Sequence, residues 1–574
     1  MSTPRYRDAA VFRAKATLLQ AKRALGNAFD NELRRWSTGI ALFDQPILAE
    51  SRTPLWTAEK DSEIPLVAGK IHNLRLAIQR LNGVEVPANQ VLSFWKQVGR
   101  ANRLKGYSRG RELREGCLIP TTGGGLCQLS NALYETAVRA GLEIVERHPH
   151  SKVIPGSLAE RGLDATVFWN YVDLRVRSQH SFRVEAFLTS ESLVVRLRGE
   201  RNRKPVEPGH RKISVATVDV IENCSTCDKT GCFRHSPTGL TQFGRVAYLV
   251  DEYWPEFDRY ISSARRESDL ICLPIDGKRF QKPNYSWTTK DFSKVKQFPT
   301  FVLHRSYQLR KLGPQGAARQ QALLAFNERL AACFASSLTY DTTHLVIMQS
   351  LLPFLWLGGH LGGRTFDVLM TRLPFADLHQ TLDEAAKLHP ESRTLVDFRA
   401  DSFLVNAESE ALEQARKIIT PHSMVAATFP HKAELLEWST PEPPELNAQP
   451  TPKSRLIFPS STVARKGAYE LRAALQGSDA QLTILGPVLE AQDFWRGVRV
   501  EKTSKTEDWL RRGSAIILPA FVEHRPARLL QAIACGIPVI ASTACGLENM
   551  QGVTNVKAGD VESLRRAIDD LRSQ

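Results

Sequence analysis

Cys127 follows three consecutive glycines, Gly123, Gly124 and Gly125, and lies among Leu126, Leu129, Leu133 and Ala137 at helical spacing, with Gly141 beyond them. The pattern predicts a thiol in the first turn of a helix that Gly141 ends. There the aligned peptide dipoles favour thiolate over thiol. A predicted strand over 142–145 leads into Glu146-Arg-His-Pro-His150, and a further predicted strand carries Asp164-Ala-Thr-Val167. In that order His148 or His150 would take the thiol proton and Asp164 would orient the imidazole. The bland alternative is a small buried cysteine with histidines at strand ends.

A second group is Cys224-x2-Cys227-x4-Cys232-x2-His235, four ligand-type side chains in twelve residues. Two close pairs separated by the polar turn Asp228-Lys-Thr-Gly231 suit a tetrahedral zinc site of Cys3His type. An iron–sulfur cluster with the same thiolates is the alternative. Four protein ligands leave no open position, so the expected role is structural. Nine cysteines in 574 residues make no disulfide scaffold.

A third group lies near the end of the chain. A predicted strand over 515–519 feeds a loop carrying Glu523, and Pro526 then opens a helix that Cys535-Gly536 ends. Free N–H groups at such a helix start suit a phosphate. Upstream, Arg465-Lys466-Gly467 begins another helix, so Lys466 and Arg525 are expected at one crevice at the carboxyl ends of parallel strands. Gln531 lies eight positions beyond Glu523, toward the expected ribose.

Two resemblances attach to these groups. A thiol at a helix start, then a histidine, then an acid on following strands is similar to the order of parts in transglutaminase-like thiol enzymes. More specifically, Leu92-Ser-Phe94, Gly106-Tyr107, Gly123-Gly-Gly-Leu-Cys-Gln128, Leu133-Tyr134, the run from Gly141 to Ser151, Asp164-Ala-Thr-Val167 and Asp173-Leu174 resemble the VanW family over about residues 65–200. That family is associated by name with glycopeptide resistance and the cell envelope, and its chemistry is unsettled. The run from Glu523 to Ala541, with Lys466-Gly467 upstream, resembles retaining GT-B glycosyltransferases that use nucleotide sugars, well over 455–574 and more weakly over 244–435. The resemblance implies Lys466 on the diphosphate and Glu523 on the donor sugar. The family's second Glu is Gln531 here, its Arg falls near Ser461, a Gly is replaced by His524, and Gln349 stands about where a histidine is expected. Arg525 or Arg528 would replace the lost cation, and Gln531 would hydrogen-bond a ribose hydroxyl.

The elements that must position these groups form five segments. Residues 1–60 are an N-terminal helical segment, helical over 1–36, in which Val11, Leu18, Leu25, Phe29, Leu33 and Trp36 recur near a 3.6 period. It is expected either to adsorb to anionic lipid or to pack on the next domain. Residues 61–203 are an α+β VanW-like thiol domain, with a helix over 68–81 and strands over 171–176 and 192–197, and 204–243 are the linker with the metal knot. Residues 244–440 and 441–574 are two doubly wound Rossmann-like domains in GT-B arrangement, joined through the Pro- and Glu-rich stretch 438–452. The chain is thus expected to be a multidomain α/β protein.

Lys and Arg number 76 against 61 Asp and Glu, a net charge of +15, which favours anionic partners. The basic residues are spread out and no recognition motif stands out, which argues against nucleic acid. The N-terminus has no apolar stretch of the kind a secretory signal needs, so the expected setting is cytoplasmic, with peripheral contact at the inner membrane face. The expected function is transfer of a sugar from a nucleotide-diphosphate donor to an envelope or natural-product acceptor. Its rivals are amide or thioester chemistry at Cys127, and a binding or assembly protein with a degenerate GT-B fold.

Overall fold

A computed structural model describes residues 6–30, 32–58, 63–114, 117–150, 158–200, 222–223, 243–313, 315–443, 455–502 and 509–573. The chain divides into two units. One comprises Met1–Val246 with Leu338–His344 and Gly358–Thr365, and the other Ala247–Ser337, Leu345–Leu357 and Phe366–Gln574.

In the first unit an antiparallel sheet has the strand order Ile47–Pro54, Ser192–Gly199, Phe182–Leu188, Val84–Val86. Strand alternation sends Phe182, Val184, Ala186 and Leu188, with Leu193, Val195 and Leu197, into one core. The helices Ile64–Ile78 and Leu126–Arg139 pack on this sheet. Leu126, Leu129, Leu133 and Ala137 supply the buried face of the second helix, as their spacing predicts. Gly141, at φ +72°, follows its end.

Three expectations for this unit need correction. The N-terminal helix is Tyr6–Ala28, and Trp36 lies beyond it with its indole N–H donating to the Val91 carbonyl at 2.9 Å. The helix docks through polar groups, such as Gln20 to the Trp169 carbonyl and Asn27 to Arg175, so Leu18, Leu25 and Phe29 stay exposed. Residues 164–167 are not a strand. The Asn131 side chain accepts from the Ala165 N–H, Ser130 Oγ donates to the Ala165 carbonyl, and the His148 carbonyl accepts from the Thr166 N–H. Side chains of the Cys127 helix thus take the place of a full strand ladder. The strand expected over 171–176 is Arg175–Arg177, because a tight turn with Asn170 at φ +52° occupies the preceding residues.

The second unit carries two successive sheets of doubly wound order. The first runs Lys294–Gln297, Leu270–Leu273, Arg245–Leu249, Thr342–Met348, Thr365–Leu369, Lys417–Thr420, Ala433–Leu435. The second runs Arg499–Lys502, Gln481–Ile484, Arg455–Phe458, Ala515–Leu518, Val539–Ser542, Val553–Val556, and its pairings are all parallel. In each, the chain begins in the middle, builds outward to one edge and then returns to build the other side. That reversal opens a crevice at the strands' carboxyl ends. The protein is therefore a multidomain α/β chain with the GT-B plan of two Rossmann-like sheets. Among the described residues no helix is long and apolar enough to cross a membrane.

Candidate functional sites

The loop after the strand Ala515–Leu518 and the turn Ala464–Lys466 meet closely. A Cβ on Gly467 would stand 2.1 Å from the Pro519 carbonyl oxygen, and Gly467 has φ +75°, so only glycine fits. The Arg465 carbonyl accepts from the N–H groups of Phe521 and Val522. This fastening brings Lys466 Nζ to 2.9 Å from both Glu523 Oε2 and the Val522 carbonyl. The Lys466 and Glu523 side chains are only 16% and 15% exposed, so the charge pair is largely shielded from water. Glu523 Oε1 accepts from the Arg525 N–H at 3.1 Å.

The helix that follows is Ala527–Ala534, with Pro526 as its N-cap rather than its first residue. Gln531 lies on it, half-buried. The Arg525 guanidinium turns away from Lys466. It pairs with Glu252 at 3.2 Å and lies 5.0 Å from the centre of the Trp254 ring. Arg528 donates to the Pro459 carbonyl at 2.6 Å, and Ser461 Oγ accepts from Gln315. Buried Arg465 donates to the Gln315 amide oxygen at 2.6 Å.

His524 is enclosed. Burial, then the cations Lys466 and Arg372, hold it well below its usual range, so it is neutral. Gln349 is fully buried and acts as a strut: its oxygen accepts from the Thr371 and Arg372 N–H groups, and its nitrogen donates to Glu408 and the Leu373 carbonyl. A histidine absent from the sequence reading stands at the crevice instead. His422 lies two residues beyond the strand Lys417–Thr420, with Nε2 3.0 Å from the Glu523 carbonyl, and burial keeps it neutral. Its signal was its place just past the carboxyl end of a parallel strand, where ligand-facing residues gather.

The thiol group is assembled in the first unit. Gly125 caps the helix Leu126–Arg139 at φ +101°, and a Cβ there would fall 2.1 Å from Lys70 Cγ. Cys127 therefore sits in the first turn, half-buried, with Sγ 3.9 Å from the Val167 carbonyl. His150 hydrogen-bonds Asp164 and lies near enough to Cys127 for the thiol to act on its charge. Its Nδ1 is 3.0 Å from Asp164 Oδ2, which also accepts the His150 backbone N–H at 2.6 Å. Arg147 holds the other oxygen of Asp164 at 2.7 Å and donates through Nε to its carbonyl. With Nδ1 turned to Asp164, Nε2 is the nitrogen left for the sulfur.

Burial lowers the affinity of His150 for a proton, but the interactions with Asp164 and Cys127 outweigh it and raise the pKa to about 9. For Asp164, burial pushes up, while the His150 bonds and Arg147 prevail and hold it below its usual range. His148 takes no part: its side chain is 51% exposed and stands 3.4 Å from Glu146. The set Cys224, Cys227, Cys232 and His235 lies outside the described residues. Among the described residues no group of three or more His, Cys, Asp or Glu is placed to hold a metal ion.

Comparison with known proteins gives two family matches: VanW like protein over residues 69–198 and glycosyl transferases group 1 over 462–574. The chain is 30% identical over 148 residues to the vancomycin B-type resistance protein VanW of Enterococcus faecalis, covering 25% of this chain and 53% of that protein. It is 36% identical over 110 residues to the uncharacterised protein YoaR of Bacillus subtilis, covering 19% of this chain and 36% of that protein. The chain thus spans about half and about a third of these relatives. Similar solved structures include sucrose-phosphate synthase from Thermosynechococcus elongatus, at 15% identity and TM-score 0.39 over 58% of this chain and 90% of that one. Another is a UDP-forming α,α-trehalose-phosphate synthase from Burkholderia vietnamiensis, at 10% identity and TM-score 0.33 over 57% and 91%. Residues 69–198 therefore form a VanW-like domain, and residues 462–574 form a group 1 glycosyl transferase domain.

Proposed function

We propose that the protein transfers a sugar from a nucleotide-diphosphate donor to an envelope or natural-product acceptor, in the cytoplasm. The observation that carries this reading is the shielded Lys466–Glu523 pair beside the start of the helix Ala527–Ala534, within the glycosyl transferase domain. An anion at that helix start meets backbone N–H groups and the positive end of the helix dipole. Lys466 is within one side chain's reach of the same place. It would bind the diphosphate and stabilise the charge that grows on it as the glycosidic bond to the leaving group breaks. Glu523, fixed by Lys466 and the Arg525 N–H, would accept hydrogen bonds from donor-sugar hydroxyls, and Gln531 would meet the ribose. A second cation comes from Arg525 once it exchanges Glu252 for phosphate.

Thermal-shift screening with a panel of nucleotide sugars identifies the donor, and calorimetry on variants tests the site. A charge-assisted hydrogen bond contributes ~1.5–3 kcal/mol, so Lys466→Ala is expected to weaken nucleotide binding roughly tenfold to a hundredfold. Glu523→Gln is expected to keep nucleotide affinity and abolish transfer, and Gln531→Glu to hold or raise affinity. Absence of nucleotide binding by the wild type at millimolar ligand favours the non-catalytic binding protein.

A further inference from the structure

We infer that Cys127, His150 and Asp164 form a second active site, in which Cys127 accepts an acyl group from an amide or thioester donor and passes it to water or an amine. The inference is independent of the sugar-transfer reading. It concerns a different unit and different residues.

Three features separate this cluster from a packed cysteine. Cys127 stands in the first turn of a fourteen-residue helix and is only half-buried. Cys272 and Cys545, by contrast, are buried thiols that burial pushes up to about 12. The imidazole is bonded to a carboxylate that is itself 2% exposed, and it lies near enough to the thiol to feel its charge. That carboxylate is fixed from behind: Arg147 binds its second oxygen, donates to its backbone carbonyl and lies 5.0 Å from the centre of the Tyr134 ring. A carboxylate bonded to Nδ1 sets the imidazole tautomer and orientation, which is what a nucleophile's base requires. The loop carrying Asp164 is in turn tied to the Cys127 helix through Ser130 and Asn131, so nucleophile and orienting acid move as one body.

The chemistry balances without any further reagent. With the one proton of the Cys127–His150 pair on the imidazole, the sulfur attacks the donor's carbonyl carbon, forming the S–C bond. The tetrahedral adduct collapses, the bond from carbon to the leaving nitrogen or sulfur breaks, and His150 gives the proton to that leaving group. Water or an amine then loses a proton to His150 and attacks the thioester. The acyl group leaves on the new oxygen or nitrogen, and the pair is restored with its one proton on His150. Cys127 and His150 are the reacting groups, and Asp164 is a positioning residue.

The test uses the full chain with p-nitrophenyl acetate as acyl donor and iodoacetamide as thiol probe, with modified residues located by peptide mass spectrometry. The expected result is a burst of p-nitrophenolate with one acetyl group on Cys127, absent in Cys127→Ala. At about pH 7 an ordinary thiol is only a few per cent thiolate. Cys127 is expected to alkylate faster than a cysteine in a model peptide at that pH. His150→Gln should slow acylation by about a hundredfold, the typical contribution of a positioned base, while His148→Gln leaves it unchanged. Asp164→Asn should move the His150-dependent limb of the acylation pH profile to lower pH, a change that loss of packing alone does not produce. Where Asp164→Asn fails to fold, the wild-type pH profile and His150→Gln decide. Labelling of Cys127 no faster than the peptide thiol, or acylation indifferent to His150 in a folded variant, overturns the proposal.

Discussion

His150 gains two partners on folding, and both favour its charged form. Its pKa rises from 6.5 to about 9, so its contribution to stability is fully present below about pH 6.5 and fades as the pH climbs toward about 9. Asp164 moves the other way. Its contribution is present above the usual carboxylate range and is lost as the pH falls through its lowered native value. The pair is therefore most stabilising between roughly pH 4 and 6.5, the ordinary values for the two groups. Urea unfolding of wild type and His150→Gln checks this: the stability gap should be wider near pH ~6 than near pH ~9.5. A gap that grows with pH would show that His150 is neutral in the folded protein. The sequence left His148 and His150 equivalent. They flank Pro149, and only the fold turns one toward Asp164 and leaves the other at the surface beside Glu146.

At the scale of elements, the sequence was informative wherever a local pattern coincided with burial. The glycine run and the leucine spacing set the start and the inner face of the Cys127 helix. The segment Ala527–Ala534 was legible to the residue, because Pro526 and Gly536 bracket an apolar stripe. The edge strands Lys294–Gln297, Ala433–Leu435 and Val553–Val556 carry mostly exposed or half-buried side chains, so no apolar run marks them. Residues 164–167 read as a strand but are held by Ser130 and Asn131, contacts that no periodicity encodes. Likewise Glu252 and His422, which meet Arg525 and Glu523, are 273 and 101 positions away from them. The cysteine-rich segment belongs to this scale too. Its two close ligand pairs predict one tightly bound metal per chain, and elemental analysis should find about one equivalent in wild type and none in Cys227→Ser. Equal metal content in both would mean that these residues hold no ion. An absorption band near ~400 nm would assign iron–sulfur rather than zinc.

At the scale of the whole molecule, two candidate clusters are built on unrelated architectures. Cys127 depends on helices packed against an antiparallel sheet. Lys466 and Glu523 depend on the carboxyl ends of parallel strands. Among the described residues the two sets share no hydrogen-bond or ion-pair partner. Each set is fastened by its own neighbours: Arg147, Ser130 and Asn131 for the first, and the Arg465 carbonyl and Val522 for the second. Coupling between sites requires a ligand to bind two states of the other site with different free energies. A nucleoside diphosphate at about 100 times its Kd should stabilise the protein by ~2.7 kcal/mol through binding linkage. The same ligand should leave the rate of Cys127 acetylation unchanged within about twofold, a coupling below ~0.5 kcal/mol. Following p-nitrophenolate release with and without the nucleotide measures this directly. A tenfold change in either direction would mean that the sugar-binding and thiol sites act as one machine on a common substrate.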